Sequence, residues 1–249
     1  MNPYIAEFLG TALLVLFGNG VVANVLLAKT KGNSAGWIVI TAGWGIAVFV
    51  GAFCSAKHSG AHLNPAVTLA MAAAGKPMLG SVAGYIAAQM SGGMLGALLV
   101  YGSYQSHFTA TGDAAAKLAC FSTGPAIRHL FQNLFCETVG TFCLVLPIFL
   151  MTDPAITAQP PGGTEVPIGL GSLGLLPVAL LVFGIGLSLG GTTGYAINPA
   201  RDLAPRIIHA LLPIPGKGSS DWNYAWVPVL GPILGALAAV GVHRLISQA

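Results

Sequence analysis

The tripeptide Asn-Pro-Ala occurs twice in this chain, as Asn64-Pro65-Ala66 and as Asn198-Pro199-Ala200. Proline is favoured at the first position of a helix, and asparagine just before it is a good N-cap. Both copies follow a glycine-containing loop and lie within strongly apolar sequence. The sequence therefore predicts two short helices that begin inside a membrane, one in each half of the chain. Broken helices at matching positions of two halves are a strong sequence indication of a solute pathway.

The composition requires a surface that faces lipid. Of the 249 residues, 55% are hydrophobic and only 7% are charged, whereas soluble domains carry roughly 25% charged residues. The 34 glycines allow transmembrane helices to approach one another closely. The net charge of +3 is spread without a basic run, which argues against nucleic acid as a partner. The first apolar run is too long for the core of a signal peptide, so we interpret it as a true span.

Four cysteines show no short paired spacing and lie mostly in apolar stretches. This pattern predicts small buried hydrophobic residues rather than a disulfide framework or a metal site. They are Cys54, Cys120, Cys136 and Cys143.

Six apolar runs are long enough to cross a bilayer, which takes about 20 helical residues. They lie near Tyr4–Leu27, Gly36–Cys54, Leu79–Tyr101, Leu130–Met151, Leu173–Gly190 and Tyr224–Ile246. Two further helical stretches, Pro65–Ala74 and Pro199–Leu212, are too short to span. The polar or Gly/Pro-rich connections, such as Ser103–Pro125 and Thr152–Gly171, are predicted to be loops.

The chain contains an internal repeat. Residues Ala6–Thr11 align with Cys136–Thr141, and Ser59–Ala66 align with Thr193–Ala200. The two alignments are offset by 130 and 134 residues, as one duplication with a small insertion would give. Each unit holds three spans, so the second unit enters the membrane from the opposite side.

The predicted fold is therefore an all-α membrane protein with six transmembrane helices and two re-entrant half-helices in an inverted 3+3 repeat. We expect a single domain over residues 1–249, with repeats at approximately 1–126 and 127–249. The two half-helices should enter from opposite faces and meet near the midplane at their N-termini.

The distribution of Lys and Arg gives only a weak indication of orientation. Basic residues concentrate in cytoplasmic loops. With the N-terminus inside, three basic residues lie in the inner loops, namely Lys57, Lys76 and Arg244. More lie in the outer loops, including Lys29, Lys31, Lys117, Arg128 and Lys217. The count therefore slightly disfavours a cytoplasmic N-terminus.

The segments Ser59–Thr68 and Gly194–Asp202 resemble the signature loops of the major intrinsic protein (aquaporin) family, most closely those of its glycerol facilitator, or aquaglyceroporin, branch. The resemblance covers nearly the whole chain, including Glu7, Glu137 and the loop Phe121–Pro125. It implies a passive channel for glycerol and other small uncharged solutes, which also passes water and excludes ions and protons.

The same resemblance implies a multi-pass protein of a bacterial plasma membrane, assembled as a homotetramer with a pore in each protomer. It places both termini in the cytoplasm, and we prefer that orientation to the one that the charge count favours. It implies no enzymatic activity, no cofactor and no metal.

Physical chemistry gives the two loops complementary roles. Two helix N-termini that point at one spot create a positive partial charge there, which opposes cations and protons. The amides of Asn64 and Asn198 can donate to a passing hydroxyl group or water. Backbone carbonyls of the irregular loops can accept hydrogen bonds in return, since non-helical backbone at this depth must line a cavity or be buried in protein. The candidate carbonyls belong to Gly60, Ala61, His62, Leu63, Gly194, Tyr195, Ala196 and Ile197.

The resemblance makes Arg201 the cationic donor at the narrowest point, and a pore-facing role avoids the cost of a lone Arg in lipid. Trp44 lies 20 residues before Asn64, where glycerol facilitators carry a Trp. Gly186 lies 12 residues before Asn198, where polyol channels carry a small residue. The resemblance implies that Trp44 forms an aromatic corner opposite Arg201 and that Gly186 leaves room for a three-carbon solute. The predicted selectivity filter consists of Trp44, Gly186, Tyr195 and Arg201.

Tyr195 stands where a bacterial facilitator is expected to carry Phe. Its extra hydroxyl either narrows the pore or forms a hydrogen bond with a solute oxygen. Asp202, directly after Arg201, is also typical of the polyol branch, and we expect it to support the structure.

Several residues admit a second interpretation. Glu7 and Glu137 are candidates for a proton relay, although the resemblance favours a structural role as acceptors for the loop amides. His58 and His62 have the spacing of a zinc helix, but Ser59 replaces the Glu that a metalloprotease needs. We expect His62 to orient its loop through hydrogen bonds. His58 is either an ordinary solvated residue or a sensor of cytoplasmic pH.

Rival functions remain open at this stage. A related channel could be tuned to dihydroxyacetone, urea, ammonia or protonated lactic acid. A coupled secondary transporter also uses inverted repeats, but it would need an ionisable pair facing the pathway. An intramembrane hydrolase would need a nucleophile–base pair, and none stands out.

Overall fold

A computed structural model describes residues 1–152, 155–158, 163 and 166–248, and within them the chain is predominantly helical. The helices are α1 (Pro3–Leu26), α2 (Trp37–Ser59), α3 (Pro65–Ala73), α4 (Val82–Ala110), α5 (Ala114–Ala119), α6 (Leu130–Leu150), α7 (Leu176–Leu189), α8 (Pro199–Leu211) and α9 (Val227–Ser247). The exception to the predicted all-α fold is a short antiparallel pair, β1 (Ala155–Ala158) with β2 (Val166–Gly169). It lies inside the predicted loop between α6 and α7.

The six predicted spans are confirmed. Among the described residues, six helices are long and apolar enough to cross a membrane: α1, α2, α4, α6, α7 with the 3-10 turn Gly171–Leu175 before it, and α9. Their outer faces carry exposed large apolar side chains such as Phe131 (79% exposed) and Leu180 (58%). Apolar exposure on this scale is what a lipid-facing surface requires.

The prediction that Ser103–Pro125 is a loop is wrong in part. Helix α4 continues to Ala110, and a short helix, α5, follows it. Asp113 caps α5 by accepting hydrogen bonds from the amides of Ala115 (2.8 Å) and Ala116 (3.3 Å). The apolar run marks only the part of α4 that crosses lipid, because a helix can continue into water once its side chains are polar.

The half-helices α3 and α8 begin at the predicted prolines. They contain 9 and 13 residues, which at 1.5 Å per residue gives lengths of roughly 14 and 20 Å. Both are shorter than the hydrocarbon core of a bilayer, about 30 Å. The N-caps are confirmed, since Asn64 Oδ1 accepts from the amide of Ala66 (2.9 Å) and Asn198 Oδ1 accepts from that of Ala200 (2.9 Å).

Glycines allow the spans to pack with their backbones in contact. A Cβ added at Gly92 would lie 2.2 Å from the carbonyl oxygen of Phe8, and one added at Gly96 would lie 2.5 Å from that of Ala12. This pair therefore packs α4 against the backbone of α1. In the second half, a Cβ at Gly235 of α9 would lie 2.1 Å from the carbonyl oxygen of Thr138 on α6.

A buried ion pair fixes helix α8 against two loops. Asp202 Oδ1 accepts hydrogen bonds from Arg206 Nε (3.0 Å) and Nη2 (2.8 Å), and both side chains are fully buried. Asp202 Oδ2 accepts from the amide and the hydroxyl of Thr123, both at 2.7 Å. Arg206 also donates to the carbonyls of Thr123 and Ser220, both at 2.8 Å. The ion pair therefore joins α8 to the loops before α6 and before α9.

The C-terminus of α8 is closed by Lys217. Its ammonium donates to the carbonyls of His209 (2.6 Å), Ala210 (2.7 Å) and Leu212 (2.6 Å). A cation at this end satisfies the free carbonyls and complements the helix dipole.

The prediction that the cysteines are buried is wrong for three of the four. Cys120 is buried, but Cys54 is exposed and both Cys136 and Cys143 are half-buried. In a membrane protein an apolar run faces lipid as readily as protein, so apolar sequence does not imply an interior position.

Gly92→Ala is expected to destabilise the protein by about 1–3 kcal/mol, because its Cβ would overlap a backbone carbonyl that cannot move aside. Gly102→Ala, on the same helix with nothing within 4 Å of the added Cβ, is the matched control. Thermal unfolding of the detergent-solubilised protein should show a lower Tm for the first variant only. Equal Tm values would contradict the close packing of α1 on α4.

Asp202→Asn is expected to cost about 3–5 kcal/mol, because it leaves the Arg206 guanidinium buried without its carboxylate. Arg128→Gln breaks the ion pair with Asp221, whose side chains are 49% and 22% exposed, and should cost less than about 1 kcal/mol. The Tm values of the two variants test this ranking. The buried pair would have no stabilising role if Asp202→Asn melted no earlier than Arg128→Gln.

Candidate functional site

Each re-entrant loop has three residues with positive φ. In the first loop these are Gly60 (84°), Ala61 (52°) and Leu63 (49°). The second loop repeats the arrangement with Gly194 (82°), Tyr195 (38°) and Ile197 (44°). A non-glycine residue in this region costs roughly 1–2 kcal/mol, so other contacts must hold the loops in this shape.

Glu7 of α1 holds the first loop. Its Oε1 accepts from the hydroxyl of Ser59 (2.6 Å) and the amide of His62 (3.0 Å). Its Oε2 accepts from the amide of Leu63 (2.7 Å) and from Gln89 Nε2 (2.7 Å). The carboxylate is fully buried, and each of its oxygens has two protein donors.

Glu137 of α6 holds the second loop in the corresponding way. Its Oε1 accepts from the hydroxyl of Thr193 (2.6 Å) and the amide of Ala196 (3.0 Å). Its Oε2 accepts from the amide of Ile197 (2.8 Å). This geometry favours the structural interpretation of both carboxylates over a proton relay.

The two loops are joined through the asparagines of the repeated tripeptide. Asn64 Nδ2 donates to the carbonyl of Ile197, and Asn198 Nδ2 donates to the carbonyl of Leu63, both at 2.8 Å. Each asparagine thus caps its own half-helix with its oxygen and binds the opposite loop with its nitrogen. Each amide keeps a second N–H. The N-termini of α3 and α8 therefore meet at one place.

These bonds divide the predicted pore carbonyls into two groups. The carbonyls of Leu63 and Ile197 accept from the opposite asparagine, so they serve first to join the loops. The remaining candidates all belong to residues that line cavities: Gly60, Ala61, His62, Gly194, Tyr195 and Ala196.

Two cavities share two of their lining residues, and the place between the cavities is here called the junction, or constriction. The first, here called the Asn cavity, has a volume of about 230 Å³ and is lined by both asparagines. The second, the Trp cavity, has a volume of about 260 Å³ and is lined by Trp37 and Trp44. Tyr195 and Arg201 line both cavities and mark the point where they meet.

The Asn cavity has two chemically different walls. One wall is formed by the two re-entrant loops, with their carbonyls and asparagine amides. The other is aliphatic and is formed by Val48, Leu144, Ile148, Val178 and Val182. A molecule in this cavity can form hydrogen bonds on one side and apolar contacts on the other.

The four predicted filter residues, Trp44, Gly186, Tyr195 and Arg201, lie around the junction, but their contacts differ from the expectation. The guanidinium carbon of Arg201 lies 4.0 Å from the centre of the Trp44 ring, a cation–π stack rather than two corners with open space between them. Arg201 Nη1 is buried and has no hydrogen-bond partner among the described residues. This donor is available to a solute.

Gly186 makes room for Tyr195. A Cβ added at Gly186 would lie 2.8 Å from Tyr195 Cζ and 2.9 Å from Tyr195 Oη. The space that we expected Gly186 to leave for a solute is therefore partly filled by this phenol ring.

Two residues that shape the junction, Trp37 and Gly18, have no distinctive pattern in the sequence. Trp37 donates from Nε1 to the carbonyl of Gly186 (3.0 Å) and packs edge-on against Tyr195, with ring centres 5.9 Å apart. Gly18 leaves space for Trp44, because an added Cβ would lie 2.2 Å from that ring. A tryptophan at the start of a span looks like an interfacial anchor, and a glycine in α1 looks like ordinary helix packing, so neither gave a signal.

The two histidines contact different parts of the chain. His58 lies in the last turn of α2, with Nδ1 3.2 Å from the amino group of Met1. His62 lies in the first loop, with Nδ1 3.1 Å from the hydroxyl of Thr68. Among the described residues, no group of three or more His, Cys, Asp or Glu side chains is placed to hold a metal ion.

Comparisons with known proteins agree with this architecture. The chain is 54% identical over 245 residues to the glycerol uptake facilitator protein of Streptococcus pneumoniae, covering 98% of this chain and 99% of that protein. It is 52% identical over 235 residues to the glycerol uptake facilitator protein of Bacillus subtilis, covering 94% and 81% of the two chains. A probable glycerol uptake facilitator protein of Thermotoga maritima is 49% identical over 244 residues, covering 98% of this chain and 99% of that protein.

A solved structure has the same fold. The aquaglyceroporin from Plasmodium falciparum superposes with a TM-score of 0.78 at 30% sequence identity, covering 99% of this chain and 98% of that chain. The family model described as Major intrinsic protein matches residues 1–243. The chain therefore belongs to the major intrinsic protein family.

Proposed function

We propose that this protein is a passive transmembrane channel for glycerol and other small uncharged solutes, that it also passes water, and that it excludes ions and protons. The observation that carries the proposal is the pair of cavities that meet at Tyr195 and Arg201, with a polar and an aliphatic wall in the Asn cavity. Relatives that are about half identical over nearly the whole chain are named as glycerol facilitators. The protein is a channel and not an enzyme.

The two walls suit a short polyol. Its hydroxyl groups would accept from the free N–H of Asn64 and Asn198 and donate to loop carbonyls such as those of Ala61 and His62. Its carbon–hydrogen edge would slide along the aliphatic wall. Replacing the hydration shell by such groups lowers the desolvation cost of entering a narrow pore.

Exclusion of cations follows from the electrostatics of the same site. The N-termini of α3 and α8 each carry a positive partial charge, and these charges add where the helices meet. Arg201 adds a full charge at the constriction. Glu7 and Glu137 hold the loops and do not face the pathway, so we assign them no proton transfer.

The surroundings of the channel follow from its relatives. The similar facilitators come from bacteria, which supports a multi-pass protein of the plasma membrane. We further propose that both termini lie in the cytoplasm, that residues 1–126 and 127–249 form the two inverted repeats of one domain, and that four chains form a homotetramer.

Glycerol uptake into proteoliposomes, followed by stopped-flow light scattering, tests the function. Vesicles that contain the protein should equilibrate with glycerol faster than protein-free vesicles, without an ion or proton gradient, and should exclude sorbitol. Urea, dihydroxyacetone, and lactic acid at low pH belong in the same panel. Glycerol entry no faster than in protein-free vesicles, or entry only with an imposed gradient, would refute the proposal.

Arg201→Val should raise the proton leak of the vesicles by at least about tenfold. A unit charge about 4 Å from a passing cation costs roughly 4 kcal/mol at an effective dielectric constant of 20, and this variant removes it. Arg128→Val, which removes a surface charge that lines neither cavity, is the matched control. Decay of a pH gradient, measured with a trapped dye, reports the leak. Equal proton leaks in both variants would show that Arg201 is not part of the barrier to protons.

A further inference from the structure

The hydroxyl group of Tyr195 is a buried polar atom at the junction of the two cavities. The side chain is 5% exposed, and Oη has no hydrogen-bond partner among the described residues. A buried hydroxyl without a partner is unfavourable, because it has lost water and gained nothing in return. Since Tyr195 lines both cavities, the missing partner can be supplied by whatever passes between them.

The phenol ring is held firmly in this place. The ring packs against Gly186, as described above, and also against Gly190, where an added Cβ would lie 2.4 Å from Tyr195 Cδ1. These two glycines therefore leave the space that the ring fills. Trp37 packs edge-on against the ring, at an interplanar angle of 79°. Gly186, Gly190 and Trp37 therefore fix the position of the ring and the direction of its hydroxyl.

The polar groups beside the ring are already engaged by others. Trp37 Nε1 donates to the carbonyl of Gly186 at 3.0 Å. The hydroxyl of Thr41 lies 3.1 Å from the carbonyl of Trp37 and 3.0 Å from that of Ile38, both on its own helix. These contacts leave the Tyr195 hydroxyl to the pathway.

We infer that the Tyr195 hydroxyl is a specificity-determining group, which hydrogen-bonds one hydroxyl of a passing polyol while Arg201 binds another. The inference rests on the proposed function. Arg201 can only donate and the loop carbonyls can only accept, whereas a phenol does both, as an alcohol does. A triol can make one more hydrogen bond at the constriction than a diol of similar width, so its permeability should rise relative to that of the diol.

Tyr195→Phe tests this assignment, because it removes a single atom that has no protein partner. The measured quantity is the ratio of glycerol to 1,2-propanediol permeability, each corrected for protein-free vesicles. This ratio does not depend on the amount of folded protein. Loss of one neutral hydrogen bond should lower it about two- to tenfold.

Tyr224→Phe is the matched control. Tyr224 is buried as well, its Oη also lacks a partner among the described residues, and it lines neither cavity. Its ratio should equal that of the wild type. An unchanged ratio in Tyr195→Phe, or one that rises because the pore is wider, would overturn the inference and leave the channel function standing. Wild-type vesicles that pass neither solute would instead refute the proposed function, and the inference with it.

Discussion

The reciprocal pair of hydrogen bonds between Asn64 and the carbonyl of Ile197, and between Asn198 and the carbonyl of Leu63, is the interaction on which the rest of the site depends. It brings two helix N-termini together inside the membrane, where their partial charges repel each other. Asparagine is suited to this position because one side chain must accept from its own helix and donate to the opposite loop. Aspartate cannot donate, and serine is too short to supply two separate polar atoms.

The two halves support their loops with corresponding but unequal contacts. Gly92 and Gly235 occupy matching positions, since each packs against the carbonyl of the residue that follows a buried glutamate. Gln89 stands three residues before Gly92, and Pro232 stands three residues before Gly235. Gln89 gives Glu7 a fourth donor, whereas proline has none to offer, and Glu137 keeps three.

The constriction is a product of packing as much as of its polar groups. Gly18 admits the Trp44 ring, and Gly186 admits that of Tyr195. Arg201 stacks on Trp44, so its guanidinium is held by an aromatic face instead of by a carboxylate, which leaves Nη1 free to donate. Behind the filter, Asp202 takes up the charge of Arg206. The charge of Arg201 is therefore not neutralised at the pore.

The sequence by itself determined the spans and the half-helices, because apolar length and the Asn-Pro start signal act locally, and their bounds agree with the structure to within a few residues apart from α4 and α2. It also identified Glu7, Glu137 and Arg201 as residues too costly to leave in lipid without a role. Only the tertiary structure decided that α2 continues to Ser59 and α4 to Ala110. It also decided that Tyr195 fills the space beside Gly186, and that Trp37 and Gly18 shape the junction. Those outcomes depend on contacts between residues up to 158 positions apart in the chain, such as that of Trp37 with Tyr195, and no local pattern records which side chain will occupy the gap that a glycine leaves.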